Sequence, residues 1–313
     1  MNNHQTGIFE RLQKHLTIFV FDLKDKRALK ASFETLWEDL NERLLDWHSG
    51  AALTVTIGFG LPLFEKLGKA SLKPKALRIM PTWERDAFDP KKEQGDLLVQ
   101  ICSNERSVNF HVERAILAHL EKSFALKAHH EGFGLPESRG QLGFVDGTGN
   151  PKGDGAYPAA LIGDEEKRHA GGTYMVVRKI REDVKRWEAL SLDEQERRIG
   201  RRKADSAKLE PRQKTPASSH VEKSSFTGKH GDVELLRRSI PYGSPDETGL
   251  IFICYVRSLD QFETIKNQMV SPKSQGETTG KDGIHDFSTP VSGGYYFIPP
   301  KPAEGGFLGD FLA

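Results

Sequence analysis

Thr173-Tyr174-Met175-Val176-Val177-Arg178-Lys179-Ile180 runs directly into a charged stretch from Glu182 to Ile199, and the reading of this pair decides the fold. The first segment is short, apolar and rich in β-formers, as a largely buried strand requires. The second reads as a helix. The alternation then continues downstream: Gly249 to Val256 is a predicted strand, Leu259 to Met269 a helix, and Gly294 to Ile298 (GYYFI) a closing strand.

Working upstream, the same order recurs. Leu16 to Phe21 reads as a strand, and Lys24 to His48 as a helix in which Phe33, Leu36, Leu40, Leu44 and Trp47 recur at spacings of three and four. Leu53 to Phe59 alternates into a second strand, Leu61 to Leu67 is a short helix, and Asp96 to Cys102 is a third strand. Val108 to Leu120 follows with Val112, Ile116, Leu117 and Leu120 on one helical face. Both halves are therefore read as duplicated β-α-β units, an α+β chain of two ferredoxin-like halves with antiparallel sheets and helices outside. The L-x-x-F-E-x-[LI] pattern shared by Leu61–Leu67 and Leu259–Ile265 is a short echo consistent with duplication. The boundary is placed near Gly140, giving an N-terminal domain 1–140 and a C-terminal domain 141–313. The stretch Gly200 to Ser219 lacks periodicity and reads as a long loop.

The 313 residues are enough for two domains at the usual ~150 residues each. Lys+Arg 45 against Asp+Glu 44 leaves a net charge of +1, too little field to attract nucleic acid or anionic lipid. Cys102 and Cys254 lie far apart in apolar runs, which excludes a covalent c-type haem attachment and a secreted disulfide framework. With no signal-like start and no apolar run of ~18–20 residues, the expectation is a cytoplasmic protein with no membrane and no nucleic-acid partner.

Gly143-Phe144-Val145-Asp146-Gly147-Thr148-Gly149-Asn150-Pro151 is the densest unusual segment. Its glycines and Asn-Pro ask for backbone conformations that side chains resist, and they hold one acid, Asp146, at the tip. An Asx-type turn in which Asp146 only caps amides fits the same composition. The aspartyl-phosphate motif D-x-D-x-T fails, because Phe144 stands where its nucleophile belongs.

This segment resembles the GxxDG signature of the dye-decolourising haem peroxidases, bacterial cytoplasmic type. Ser219-His220-Val221 is similar to that family's proximal-histidine segment, and Arg237-Arg238-Ser239-Ile240-Pro241-Tyr242-Gly243 to its distal-arginine segment. Trp187 to Ser191, Glu194 to Arg197, Gly249 to Tyr255, Phe262-Glu263 and Met269 match the surrounding elements in the family's order. The departures are Gly149 in place of the usual glutamate, and Ser239 where many members carry asparagine.

The resemblance implies one non-covalent haem b per chain, bound in the C-terminal half, with His220 as its iron ligand. Asp146 and Arg237 would assist peroxide heterolysis, with Ser239 as a shorter distal donor. Gly147, Thr148, Asn150, Leu250 and Phe252 would line the cofactor, and Asp286 would accept the second ring N–H of His220. Counting back from Pro241 selects Arg237 over Arg238, which is read as a solvated charge. Tyr242, Tyr255, Trp187 and Tyr295 are candidate electron relays or core residues. The implied partners are hydrogen peroxide, an aromatic reductant and a second copy of the chain. The tail Gly305 to Ala313 reads as packing on its own domain, with docking to a compartment-forming shell partner as the alternative. A haem-handling protein and a chlorite-decomposing enzyme are the competing functions; the latter has no need of the Asp146 loop.

Overall fold

The computed structural model describes residues 3–44, 49–209, 216–228, 231–274, 277–278 and 280–312. The expected Trp47 of the first long helix lies outside them, as do 210–215 of the long loop. Strand β1 (His15–Leu23) leads through helix α1 (Leu29–Asp39) to β2 (Thr54–Gly60), and helix α2 (Leu61–Lys66) follows it. Next come β3 (Leu97–Ser103), helix α3 (Arg106–Leu120) and β4 (Phe124–Phe133). The second half opens with β5 (Thr173–Glu182), followed by helices α4 (Val184–Glu188) and α5 (Leu192–Ile199). The one helix predicted over 182–199 is thus two. Ser191 interrupts it, because its side chain caps the second helix through a reciprocal box with Glu194.

A five-residue helix α6 (His220–Ser224) precedes the small hairpin of β6 (Thr227–Gly228) and β7 (Gly231–Asp232). Strands β8 (Leu236–Arg237), β9 (Ile240–Gly243) and β10 (Thr248–Val256) follow, then helix α7 (Leu259–Val270), capped by Ser258. The hairpin of β11 (Lys273–Ser274) and β12 (Glu277–Thr278) leads to the last strand, β13 (Ser288–Ile298).

The sheet order is β4-β1-β3-β2-β13-β5-β10-β8, with β9 also on β10, and all its pairings are antiparallel. Each half has the ferredoxin-like order, in which the last strand pairs with the first and the third lies between the first and the second. The halves join where Tyr296 and Phe297 of β13 pair with Gly60 and Phe59 of β2. This topology separates the two echoed segments: α2 follows the second strand of its unit, whereas α7 follows the third, so the shared pattern does not mark equivalent positions.

Alternation along the strands sends side chains to two cores. Phe19, Phe21, Val99, Ile101, Val176 and Phe297 join the helices in one cluster. Ile18, Val20, Leu98, Met175, Val177, Ile251, Ile253 and Tyr255 form another, in which the sheet faces of the two halves bury each other as the duplicated design requires. The tail belongs to the first cluster: Leu308 and Leu312 are buried, and the Phe311 ring packs on Phe59 and Phe64. Among the described residues no helix is long and apolar enough to cross a membrane.

Candidate active site

On the helix-facing side of the second half, the sheet leaves a cavity of about 500 Å³. The register explains its floor: Arg178 pairs with Phe252 and Ile180 with Leu250, while Ser288 and Pro290 of β13 lie beside Glu182 and Ile180. All seven line the cavity. Phe262, Ile265, Lys266 and Met269 of α7 cover it, and His220 and Val221 enter from α6.

His220 Nδ1 is 2.8 Å from Asp282 Oδ2, which leaves Nε2 as the ring nitrogen for the cavity. The Asp282 side chain is fully buried, and its other oxygen accepts the Ile284 amide at 3.0 Å. Burial alone would raise this carboxyl, but the charge and hydrogen bond of His220, with His285 and the Ile284 amide, hold it below the ordinary carboxylate range. Helix α6 is too short to hold itself. Ser219 caps it, and buried Lys223 ties it to the C-terminal end of α7 through the carbonyls of Gln268, Ser271 and Lys273.

The expected partner of His220 was Asp286, and this is corrected. Asp286 is exposed, and it pairs with Arg85 at 2.9 Å and Arg198 at 3.3 Å on the far side of the same loop. Only Asp282 turns inward.

Across the cavity wall, Arg237 Nη1 lies 3.2 Å from Asp146 Oδ1. Asp146 also accepts the amide of its neighbour Gly147 at 2.6 Å, one residue on rather than the two that an Asx turn spans. Gly147 has φ +79, a conformation that glycine adopts without strain. The loop is held from behind: Trp187 Nε1 donates to the Leu142 carbonyl at 3.0 Å and its ring packs on Phe144, while Arg139 donates to the Gly143 carbonyl at 2.8 Å.

Asn150 does something composition did not suggest. Its Oδ1 accepts from the Arg237 amide and Nε, at 3.2 and 3.3 Å, and its Nδ2 donates to the Arg237 carbonyl at 2.7 Å. It clamps Arg237 rather than lining the cavity. Thr148, Gly149, Leu250 and Phe252 do line it; Gly147 and Ser239 do not. Ser239 is buried and its hydroxyl has no partner among the described residues, so the expectation that it serves as a distal donor is not met by its position. Arg238 is also corrected. It is buried, not solvated, and bonds the Glu10 carbonyl and Gln13 Oε1 between the two halves.

The proposed relay aromatics are all buried. Tyr242 bonds Glu247, Tyr255 bonds Gln100, and Tyr295 bonds Glu263. Elsewhere, Glu113, His129 and Glu131 cluster as a metal site could. Arg106 pairs with both glutamates and offsets one of their two charges.

Two family models match the chain: "Dyp-type peroxidase, N-terminal" over residues 5–134 and "Dyp-type peroxidase, C-terminal" over 137–303. The chain belongs to the Dyp-type peroxidases. Among similar proteins, the Dye-decolorizing peroxidase of Mycobacterium tuberculosis is 38% identical over 251 residues, covering 79% of this chain and 73% of that one. The Deferrochelatase of Escherichia coli is 28% identical and covers 99% and 85% respectively. A Dyp-type peroxidase structure from Shewanella oneidensis superposes with a TM-score of 0.86 at 28% identity, over 96% of this chain and 97% of that one. A variant of Rhodococcus jostii DypB in complex with heme does so at 0.83 and 28% identity, over 94% and 95%. This Dyp-type chain is accordingly a peroxidase with the family's α+β ferredoxin-like fold.

Proposed function

We propose that this Dyp-type peroxidase binds one haem b per chain and reduces hydrogen peroxide at the expense of bulky aromatic or dye-like reductants. The observation that carries the reading is one cavity holding two unlike polar groups: an imidazole oriented by a buried carboxylate, and an acid paired with a clamped arginine. The residues present fit haem. His220 keeps Nε2 free of Asp282, and Leu250, Phe252, Phe262, Ile265 and Met269 give apolar walls. Arg178 is already paired with buried Asp86, which leaves Lys266 as the cation offered to a carboxylate side arm. The volume falls in the ordinary range of ~300–1,000 Å³ for ligand sites.

Haem, when bound, supplies the redox-active iron that takes up the oxidising equivalents of peroxide. The protein's own steps are proton and charge management. Asp146 accepts the proton of the inner peroxide oxygen and returns it to the outer one, the O–O bond breaks, and water leaves. Arg237, held by Asn150, stabilises the negative charge that grows on the departing oxygen. Asp282 fixes the His220 tautomer and makes the ring a stronger donor.

The test is the absorption spectrum. Protein reconstituted with haemin should show a strong Soret band that His220→Ala abolishes; an unchanged histidine-type spectrum in that variant sinks the axial assignment. A second reading, a haem-handling protein that releases iron, is favoured by the Deferrochelatase relatives that cover nearly the whole chain. It requires metal-free porphyrin to appear when haem is supplied. The proposal also takes the chain as a cytoplasmic homodimer or larger homo-oligomer whose haem lies in the half beginning near residue 141.

A further inference from the structure

Glu182 ends β5 on the cavity side, two residues beyond Ile180 and paired with Ser288 of β13. It forms no ion pair among the described residues, and its Oε2 is shut off from solvent with no hydrogen-bond partner. That oxygen gives up hydration and receives nothing back in a half-buried residue, which favours the neutral acid. The charged neighbour it does have is of the wrong sign: burial first, and then the negative charge of Asp146, push its carboxyl up to about 8. Of the other groups around it, Tyr242 on β9 feels its charge. Arg201 and Arg237 share the cavity without bonding it, and β13 presents only Ser288 and Pro290.

We propose that Glu182 is a second acid of the active site, held as the protonated carboxyl, that refills Asp146 with a proton during turnover. The chemistry balances. A full cycle takes one hydrogen peroxide, two electrons from the aromatic donor and two protons, and yields two waters. Asp146 carries the peroxide's own proton between its two oxygens, so both additional protons must come from elsewhere. In the proposed step the Glu182 O–H bond breaks and an O–H forms on the Asp146 carboxylate. Glu182 is left as a carboxylate and regains its proton from solvent. Two carboxyl groups whose environments drive their ionisation apart are the arrangement that lets one hold a proton while the other moves it. The inference rests on the distal reading of Asp146 given above.

The experiment compares the parent with Glu182→Gln, which keeps the shape and removes the proton. The first readout is apo-protein unfolding by urea from pH 5 to pH 9. A group whose folded pKa is raised binds more protons folded than unfolded, so the parent should lose stability relative to Glu182→Gln as pH rises through that window. The expected drift in unfolding constant is on the order of 10²-fold. The second readout is the rate at which the aromatic donor returns peroxide-oxidised, haem-loaded protein to its resting form at pH 7, the half of the cycle that consumes the two added protons; it should fall about tenfold in the variant with haem affinity unchanged. Parallel pH profiles for the two proteins would show Glu182 ionised in the fold and overturn the proposal. Divergent profiles with equal rates of that return to the resting form would make it a structural acid only, which also overturns it. Asp146→Asn separates the premise: a full peroxide rate there removes the distal reading, while the unfolding profile still reports the protonation of Glu182.

Discussion

Asp282 and Asp286 share one loop and meet opposite fates, and the difference is a matter of single hydrogen bonds. The inward carboxylate takes the His220 ring N–H and one amide; the outward one takes two arginines. Removing the first should weaken haem affinity by about 10- to 100-fold, as expected when the group behind a ligating histidine is lost. Titrating Asp282→Ala apo-protein with haemin checks this, with Asp286→Ala staying near the parent value. On the other wall, Asp146→Asn and Arg237→Leu should both retain haem, because neither is a ligand. Each should slow the peroxide reaction by on the order of 10²–10⁴-fold in stopped-flow mixing. Parent-like rates in both would remove these two residues from the mechanism.

At the scale of elements, the apolar runs were readable because burial on both faces leaves nearly continuous hydrophobic sequence. Strand β4 was missed for the opposite reason: FALKAHHEGF is largely exposed and shows little apolar periodicity. Helix α6 is shorter than any periodicity test, so only the resemblance of Ser-His-Val marked the place. The roles of Asp282 and Asn150 are set by chain segments distant in sequence, and no local pattern could disclose them. Glu182 gave no signal, because it sits in the charged run Arg181-Glu182-Asp183 and reads as the start of the following helix.

The α7 helix carries a further consequence for the loop it covers. Lys266 Nζ lies 3.1 Å from His285 Nε2, both buried. Burial, with the Lys266 charge, pushes His285 down to about 4, and burial with Arg178 brings Lys266 to about 8. The unfolded chain protonates His285 near pH 6.5, whereas the folded one resists until about 4, so stability should be lost as pH falls between those values. The loss should approach about 3 kcal/mol in the apo-protein and shrink in His285→Gln. Urea unfolding at pH 7 and pH 4.5 would show it; equal slopes in parent and variant would refute it.

For the molecule as a whole, Gly132 on β4 is a point of close approach between the two halves. A Cβ there would lie 2.5 Å from Ile240 Cγ2 and 3.0 Å from the Pro241 carbonyl oxygen of β9. Gly132→Val should therefore force these strands apart and cost about 1–3 kcal/mol, read as a lower melting temperature. An unchanged melting curve would mean that the halves have slack at this contact.

The strand that links the halves is also the last to be made. β13 sits between β2 and β5 in the middle of the sheet, yet it occupies residues 288–298 of 313. During synthesis the N-terminal half emerges with the β2 edge unpaired, its inner apolar face uncovered and no tail to pack on Phe59. A nascent chain stalled anywhere before residue 288 presents an open strand edge to its neighbours on the polysome. Pairing of the β2 edge thus waits for residues 288–298 to emerge, and chaperone demand falls on the waiting N-terminal half.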